Sequence, residues 1–278
     1  MKLSIITINR NNAAGLEMTM KSVAAQTFKE FEYIIVDGAS TDGSVEVIKK
    51  YEPQFAHLKW FSEPDTGIYN AMNKGIRMAS GEYIQILNSA DILAASNVTE
   101  RMVIALKELE NEGQGAEVPL LYGNMIKKDY SSGNIVGKSG KVEYSLRQYY
   151  SSTMNHDCCY IRRDLFDAYG MYDENLKIVS DWKWFLQVIG LGRVRPVYVD
   201  IDVTVFDTSG ISENNLDLRN KERRQVLEEV MPPAILVDYD AHAFHVSQYQ
   251  RLKRYHLWPI VHFVERVLFK LNKWHVLK

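Results

Sequence analysis

Leu3-Ser4-Ile5-Ile6-Thr7-Ile8 is a β-branched, apolar run that stops at Asn9-Arg10-Asn11-Asn12, and a second such run, Tyr33-Ile34-Ile35-Val36, is cut off by Asp37-Gly38. Runs this apolar read as strands buried on both faces. Between them, Leu16, Met20, Val23 and Ala24 recur at helical spacing within Ala14 to Gln26. Ser40-Thr41-Asp42-Gly43 offers capping oxygens for a helix through about Tyr51. Ile68 to Ala79 reads as a further helix, and Tyr83-Ile84-Gln85-Ile86-Leu87 as a third strand ending at Asn88-Ser89-Ala90-Asp91. Strands joined by helices predict an α/β fold, a Rossmann-type, mostly parallel sheet with helices on both faces.

Beyond residue 95 the pattern loosens. Leu120-Leu121-Tyr122, Cys158 to Ile161 and Val197-Tyr198-Val199 read as strands, Asp164 to Tyr169 and Ser180 to Leu191 as helices, and the Ser- and Gly-rich stretch Asp129 to Gly140 as a mobile loop. From about Asn214 the chain turns helical and charged, punctuated by Pro232-Pro233.

The 278 residues are 46% hydrophobic and 24% charged, enough to bury a full core, which excludes disorder and a disulfide-stapled miniprotein. A net charge of −2 argues against nucleic acid as a partner. That charge is unevenly spread: residues 241–278 hold seven basic side chains and one acid, Glu265, so this tail carries +6 and the rest −8. In the tail, Phe244, Leu252, Leu257, Trp258, Ile260, Phe263, Val267 and Leu268 interleave with the basic residues. Such a pattern suits a helix on an anionic membrane face, or a helical pair packed on the preceding part of the chain or on a second copy of it. No apolar run approaches the ~20 residues of a membrane span, and the opening segment is too short an apolar run for a signal peptide. Cys158 and Cys159, adjacent and alone, read as reduced thiols and point to a cytoplasmic protein.

All three strands end in polar residues, and the carboxyl edge of an open α/β sheet is where ligands bind. Asp37, directly after a buried strand and beside Gly38, suits a base N–H or a ribose hydroxyl, or else a turn that bonds its own backbone. Asp65, in Glu63-Pro64-Asp65-Thr66-Gly67, is either a helix cap or a second ligand contact. Asn88-Ser89-Ala90-Asp91 places one carboxylate among hard oxygens, as a cation bridging a diphosphate requires.

Six segments, in order, carry a resemblance: Ser4 to Asn11, Ser22-Val23 with Gln26-Thr27, Ile35 to Gly43, Glu63 to Tyr69, Ala71 to Gly75, and Gly81-Glu82-Tyr83 leading to Leu87 through Asp91. Together they resemble the nucleotide-binding half of the inverting glycosyltransferases of family 2, which have the GT-A fold. His156, Ile161-Arg162-Arg163, Gly170-Met171-Tyr172-Asp173-Glu174 and Ser180-Asp181-Trp182 extend the resemblance, and Phe206 to Ser212 resembles a segment that closes over the donor.

The resemblance implies a catalytic domain over 1–212, with 1–95 holding the nucleotide-sugar and 96–212 the acceptor, followed by a helical, basic extension over 213–278. It implies that Thr7, Asn9 and Arg10 line the nucleoside pocket, that Asp37 and Asp65 bind base and ribose, and that Asn73, Lys74, Asn88, Ser89 and Ala90 lie close to the donor. Asp91 matches the last acid of the family's metal motif, for Mg²⁺ or Mn²⁺, although Ala90 stands where the motif often has a first acid. Asp181 matches the catalytic base, the other reading being a helix cap made with Ser180. His156 is expected to meet acceptor, phosphate or metal, and Trp182 or Trp184 to stack on a sugar, where core packing is the other role. The implied activity is inverting transfer from a nucleotide-sugar, a UDP-sugar first, to a saccharide or lipid-linked saccharide in surface polysaccharide biosynthesis. A non-catalytic nucleotide-sugar-binding scaffold and a sugar nucleotidyltransferase are the alternatives. The nucleotidyltransferase would want a Gly-rich, basic N-terminal loop, whereas residues 9–15 hold one Arg and one Gly.

Overall fold

A computed structural model describes residues 3–112, 118–207 and 215–276. The first four strands, β1 (Leu3–Asn9), β2 (Phe31–Asp37), β3 (Leu58–Ser62) and β4 (Tyr83–Asn88), form a parallel block in the order β3-β2-β1-β4. Helices α1 (Ala13–Ala24), α2 (Ser44–Tyr51) and α3 (Ile68–Met78) follow the first three strands. Ile5, Ile6, Ile34, Ile35 and Leu87 are fully buried, as double-sided strands require.

Register matters most for function. Asn9 lies opposite Asp37 and Ile8 opposite Asn88, so the three polar strand ends share one edge. Beyond β4 the sheet is mixed. β5 (Ile92–Leu93), β6 (Leu120–Lys128), β7 (Ile135–Ser139), β8 (Cys159–Arg162) and β9 (Val197–Asp207) extend it as β4-β8-β6-β9-β5, with β7 added to β6. Antiparallel pairing of β8 with β4 brings the start of β8, and with it the turn His156–Cys158, to the edge where Asn88 stands. Helices α4 (Val98–Glu112), α5 (Leu146–Ser151), α6 (Asp164–Tyr169) and α7 (Ser180–Phe185) complete this region, followed by α8 (Leu216–Val230).

The stretch expected to be a loop, 129–140, instead folds back as the antiparallel hairpin β6–β7. Both cysteines are buried free thiols, bonded to the Asn155 carbonyl. The chain divides into compact units Met1–Val226 and Leu227–Lys278. The boundary expected after residue 212, and the closing segment beyond Asp207, lie outside the described residues. In the second unit, α9 (Pro233–Arg254) and α10 (Trp258–Val276) expose Phe244, Ile260, Phe263 and Leu268. Among the described residues no helix is long and apolar enough to cross a membrane.

Candidate active site

Two cavities open at the carboxyl edge of the sheet. The first, about 710 Å³, is lined by Asn9, Arg10, Asp65, Asn88, Ser89 and Ala90. The second, about 720 Å³, lies over β6, α5 and α8 and includes Trp182 and Arg223. Asp91, His156 and Asp181 line both.

Asp181 sits in the first turn of α7, where the positive end of the helix favours a carboxylate. It does not cap with Ser180: Val179 occupies the cap position, and the carboxylate is spoken for elsewhere. Tyr69, in the first turn of α3, donates its hydroxyl to Oδ1 at 2.9 Å, and His156 Nδ1 lies 3.2 Å from Oδ2. Burial alone would raise the Asp181 pKa, but the His156 bond and charge, with the Tyr69 bond, more than offset it and hold the group below its ordinary 3.8. Burial and the facing Asp181 push Tyr69 well above 10, so it stays a donor. Tyr69 carries a site role that the sequence reading did not assign; its only signal was its place in the Gly67-Ile68-Tyr69 segment.

For His156, burial works against the charged ring, but Asp181, with Asp157 and Asp91 nearby, carries its pKa from 6.5 to about 9. A pKa raised on folding adds stability that is fully present below the unfolded value and is lost as pH rises through the folded one. The urea midpoint is therefore expected to fall between pH 6.5 and 9, at up to about 1.4 kcal/mol per pH unit for one proton. His156→Gln is expected to flatten that dependence; an unchanged slope in the variant would remove His156 as its source.

Asp91 is 4% exposed, with Oδ2 accepting the Asn88 N–H at 3.2 Å. Burial and the neighbouring Asp157 raise its pKa well above 3.8. Asp157, also unassigned by sequence, is itself raised by burial and accepts from Thr204 at 2.5 Å. Two buried carboxylates in mutual repulsion are the charge arrangement a divalent cation relieves, so Asp91 fits the metal role. Among the described residues no three His, Cys, Asp or Glu side chains cluster to hold an ion, so such an ion would draw most of its ligands from a diphosphate and water. The turn bearing Asp91 is clamped by Thr19, whose Oγ1 donates to the Asp91 carbonyl at 2.7 Å and accepts from the Ala90 N–H at 3.0 Å. Ala90 there has φ of +85°, a conformation costly for an L residue other than Asn or Asp.

Four expected donor contacts do not reach the first cavity. Thr7 is fully buried and bonded to the Tyr33 hydroxyl at 2.9 Å, because its register position points into the core. Asp37, also fully buried, accepts from Asn9, from the Ser62 hydroxyl, and from both the backbone and hydroxyl of Ser40. These four bonds tie Asp37 to Asn9, to Ser62 and to the Ser40 turn. Asn73 ties down the turn after α6 through the Tyr172 backbone and Glu174. Lys74 pairs with Glu63 at 2.7 Å and the Pro64 carbonyl at 3.0 Å, bracing the segment that carries Asp65. Asp65 does face the cavity, and its carboxylate packs against Gly38, where a side chain would make it shift. Trp182 lines the second cavity, although its indole N–H is taken by the Tyr149 carbonyl at 2.6 Å. Trp184 stacks on Phe166 in the core and is no sugar platform.

The family model described as glycosyl transferase family 2 matches residues 4–170. The chain belongs to that family. It is 33% identical to an uncharacterized glycosyltransferase of Mycobacterium tuberculosis, over 76% of this chain and 77% of that one. Among solved structures, Staphylococcus aureus TarS 1–349 in complex with UDP-GlcNAc matches with TM-score 0.56 at 20% identity, covering 75% of this chain and 59% of that one. The chain thus spans about three fifths of that TarS fragment. The mannosyltransferase PcManGT from Pyrobaculum calidifontis, in complex with GDP-Man and Mn²⁺, matches with TM-score 0.60 at 17% identity, covering 87% and 69%. The fold is therefore of the GT-A-like kind expected from the family 2 segments.

Proposed function

We propose that this family 2 protein transfers a glycosyl residue from a UDP-sugar in the first cavity to a hydroxyl of a saccharide or lipid-linked saccharide in the second, with inversion, during surface polysaccharide assembly. The observation that carries this reading is Asp181, an ionised carboxylate standing where the two cavities meet. Asp181 takes the proton of the acceptor hydroxyl as that oxygen attacks the anomeric carbon. The new C–O bond forms as the bond to the diphosphate breaks, and a single displacement on the opposite face inverts the anomeric centre. Tyr69 and His156 hold the carboxylate against rotation, so its remaining lone pairs keep one direction. His156, charged below pH 9, also places a cation beside the leaving diphosphate, where negative charge develops. Asp91 would hold a Mg²⁺ or Mn²⁺ ion, which supplies further neutralisation of that leaving group.

A ligand that binds only the folded state raises Tm. At ~100 times Kd, UDP should add about 2.7 kcal/mol, a shift of roughly 5–10 °C for a protein of this size. A screen of UDP, GDP and dTDP, each with Mg²⁺ or Mn²⁺, is expected to single out UDP. If no nucleoside diphosphate shifts Tm, the donor site is refuted; if GDP alone does, the UDP assignment is.

A further inference from the structure

The apolar spacing of α10 is that of a helix with one covered side. Ile260, Phe263, Val264, Val267 and Leu268 fall at i, i+3, i+4, i+7 and i+8, the positions that a helix of a water-soluble fold turns towards its core. All five are exposed instead, from 40% at Val267 to 68% at Phe263. A continuous apolar face left open in this way marks a surface that meets a partner.

Charge decides which partner. Arg266 lies on α10 outside that face and is exposed, and in the sequence Lys270 and Lys273 follow it at the same helical spacing. Just ahead of α10, the last turn of α9 carries Arg251, Lys253 and Arg254, all exposed. Between residues 251 and 273, six basic residues thus stand against one acid, Glu265. A second copy meeting α10 face to face would set these cations against one another. The acidic remainder of a second copy would answer the charge but not the apolar face. Among the described residues of the first unit, exposed large apolar side chains stand singly or in pairs on separate elements, such as Met18 on α1, Ile104 on α4 and the pair Ile135 and Val136 on β7. An anionic bilayer supplies both requirements, negative headgroups above an apolar interior. Among the described residues no helix is long and apolar enough to cross a membrane, so the geometry available to α10 is to lie along its surface.

We propose that α10 is a membrane-surface helix that lies in the interface of an anionic lipid bilayer. Ile260, Phe263, Val264, Val267 and Leu268 enter among the acyl chains, and Arg251, Lys253, Arg254 and Arg266 stand against the headgroups. The two contributions differ in kind: apolar burial is insensitive to salt, whereas attraction to anionic headgroups is screened by it.

The test is co-sedimentation of the full-length protein with phosphatidylcholine vesicles, and with phosphatidylcholine vesicles containing about 30% phosphatidylglycerol, at about 0.1 and 0.5 M salt. Binding is expected on the anionic vesicles at the lower salt, and to be about tenfold weaker or more on phosphatidylcholine alone or at the higher salt. Replacing both Phe263→Ser and Leu268→Ser should weaken it about tenfold or more under every condition. Replacing Arg251→Gln, Arg254→Gln and Arg266→Gln together should weaken it similarly and flatten the salt dependence. All five side chains are exposed, so the urea midpoint is expected to stay unchanged in both variants. The proposal is overturned if the protein ignores anionic vesicles, if it binds phosphatidylcholine equally well, or if the Phe263 and Leu268 variant binds like wild type. It is also overturned if sedimentation equilibrium without lipid shows a dimer that this variant dissociates while vesicles are ignored, which would give the face to a second copy. Should that variant fail to fold, the arginine variant and the lipid and salt comparisons on wild type still decide. Vesicle binding requires neither UDP nor Asp181, so the outcome is independent of the transfer reading.

Discussion

Asp181→Asn is expected to lower kcat by about 10²–10⁴-fold, the range spanned by a positioned general base, while leaving UDP affinity within a factor of two. Asparagine keeps the shape of the side chain and an oxygen for the Tyr69 hydroxyl, so the local fold has little reason to change. What it loses is the basic lone pair on an ionised oxygen. In the unsubstituted protein His156 does not compete for the role, because a ring charged below pH 9 has no free base to offer at neutral pH. Steady-state kinetics with a UDP-sugar, beside UDP titration of the same variant, make the measurement. An unchanged kcat would dismiss Asp181 as base and leave a binding scaffold as the better account. Equal losses in turnover and UDP affinity would point to collapse of the site.

The parallel half of the sheet was open to reading because its strands carry one kind of residue. Ile5, Ile6, Ile34 and Ile35 are buried on both faces, and a run without polar alternation has few other places to go. β3 escaped notice for the opposite reason: Leu58–Ser62 is a half-exposed edge strand with a lysine in it, and so has no such signature. β9 was seen only at Val197 to Val199, yet it runs to Asp207, with Asp200 and Asp202 interrupting an apolar pattern. Both aspartates bond Asn124 across the β6–β9 pair, a contact invisible without the partner strand.

Site residues divide along the same line. Asn9, Arg10, Asp65, Asn88, Ser89, Ala90, Asp91, His156 and Asp181 line the first cavity, and their place at strand ends or in family segments is what makes them candidates from the sequence. Thr7, Asp37, Asn73 and Lys74 stand in those same segments but turn inward, where they hold the residues that do face the cavity. Sequence order cannot separate a side chain that meets ligand from one that braces it. Arg223 and Asp157 went unnoticed because their meaning depends on neighbours far along the chain, Trp182 for the first and Asp91 for the second.

Asp91→Asn is expected to cut kcat/KM by about 10²-fold or more and to remove the response to Mn²⁺, without lowering stability. The two halves of that expectation have separate causes. Asparagine can still accept the Asn88 N–H, so the turn keeps its bond, and Asp157 loses the like charge beside it. A carboxyl whose pKa is raised on folding contributes stability below its unfolded value and loses it as pH rises through the folded one; near pH 7 the wild type therefore carries a penalty that the variant lacks. Urea unfolding at pH 7 should give an equal or higher midpoint for the variant. Activity moves the other way, because a neutral amide is a poor ligand for a hard divalent cation and leaves the diphosphate's developing charge less well met. In wild type, EDTA should abolish turnover and added Mn²⁺ restore it; in the variant neither addition should matter. Turnover that persists in EDTA would show that His156 and the remaining donors suffice for the leaving group, and Asp91 would then be a structural acid that holds the Asn88 N–H.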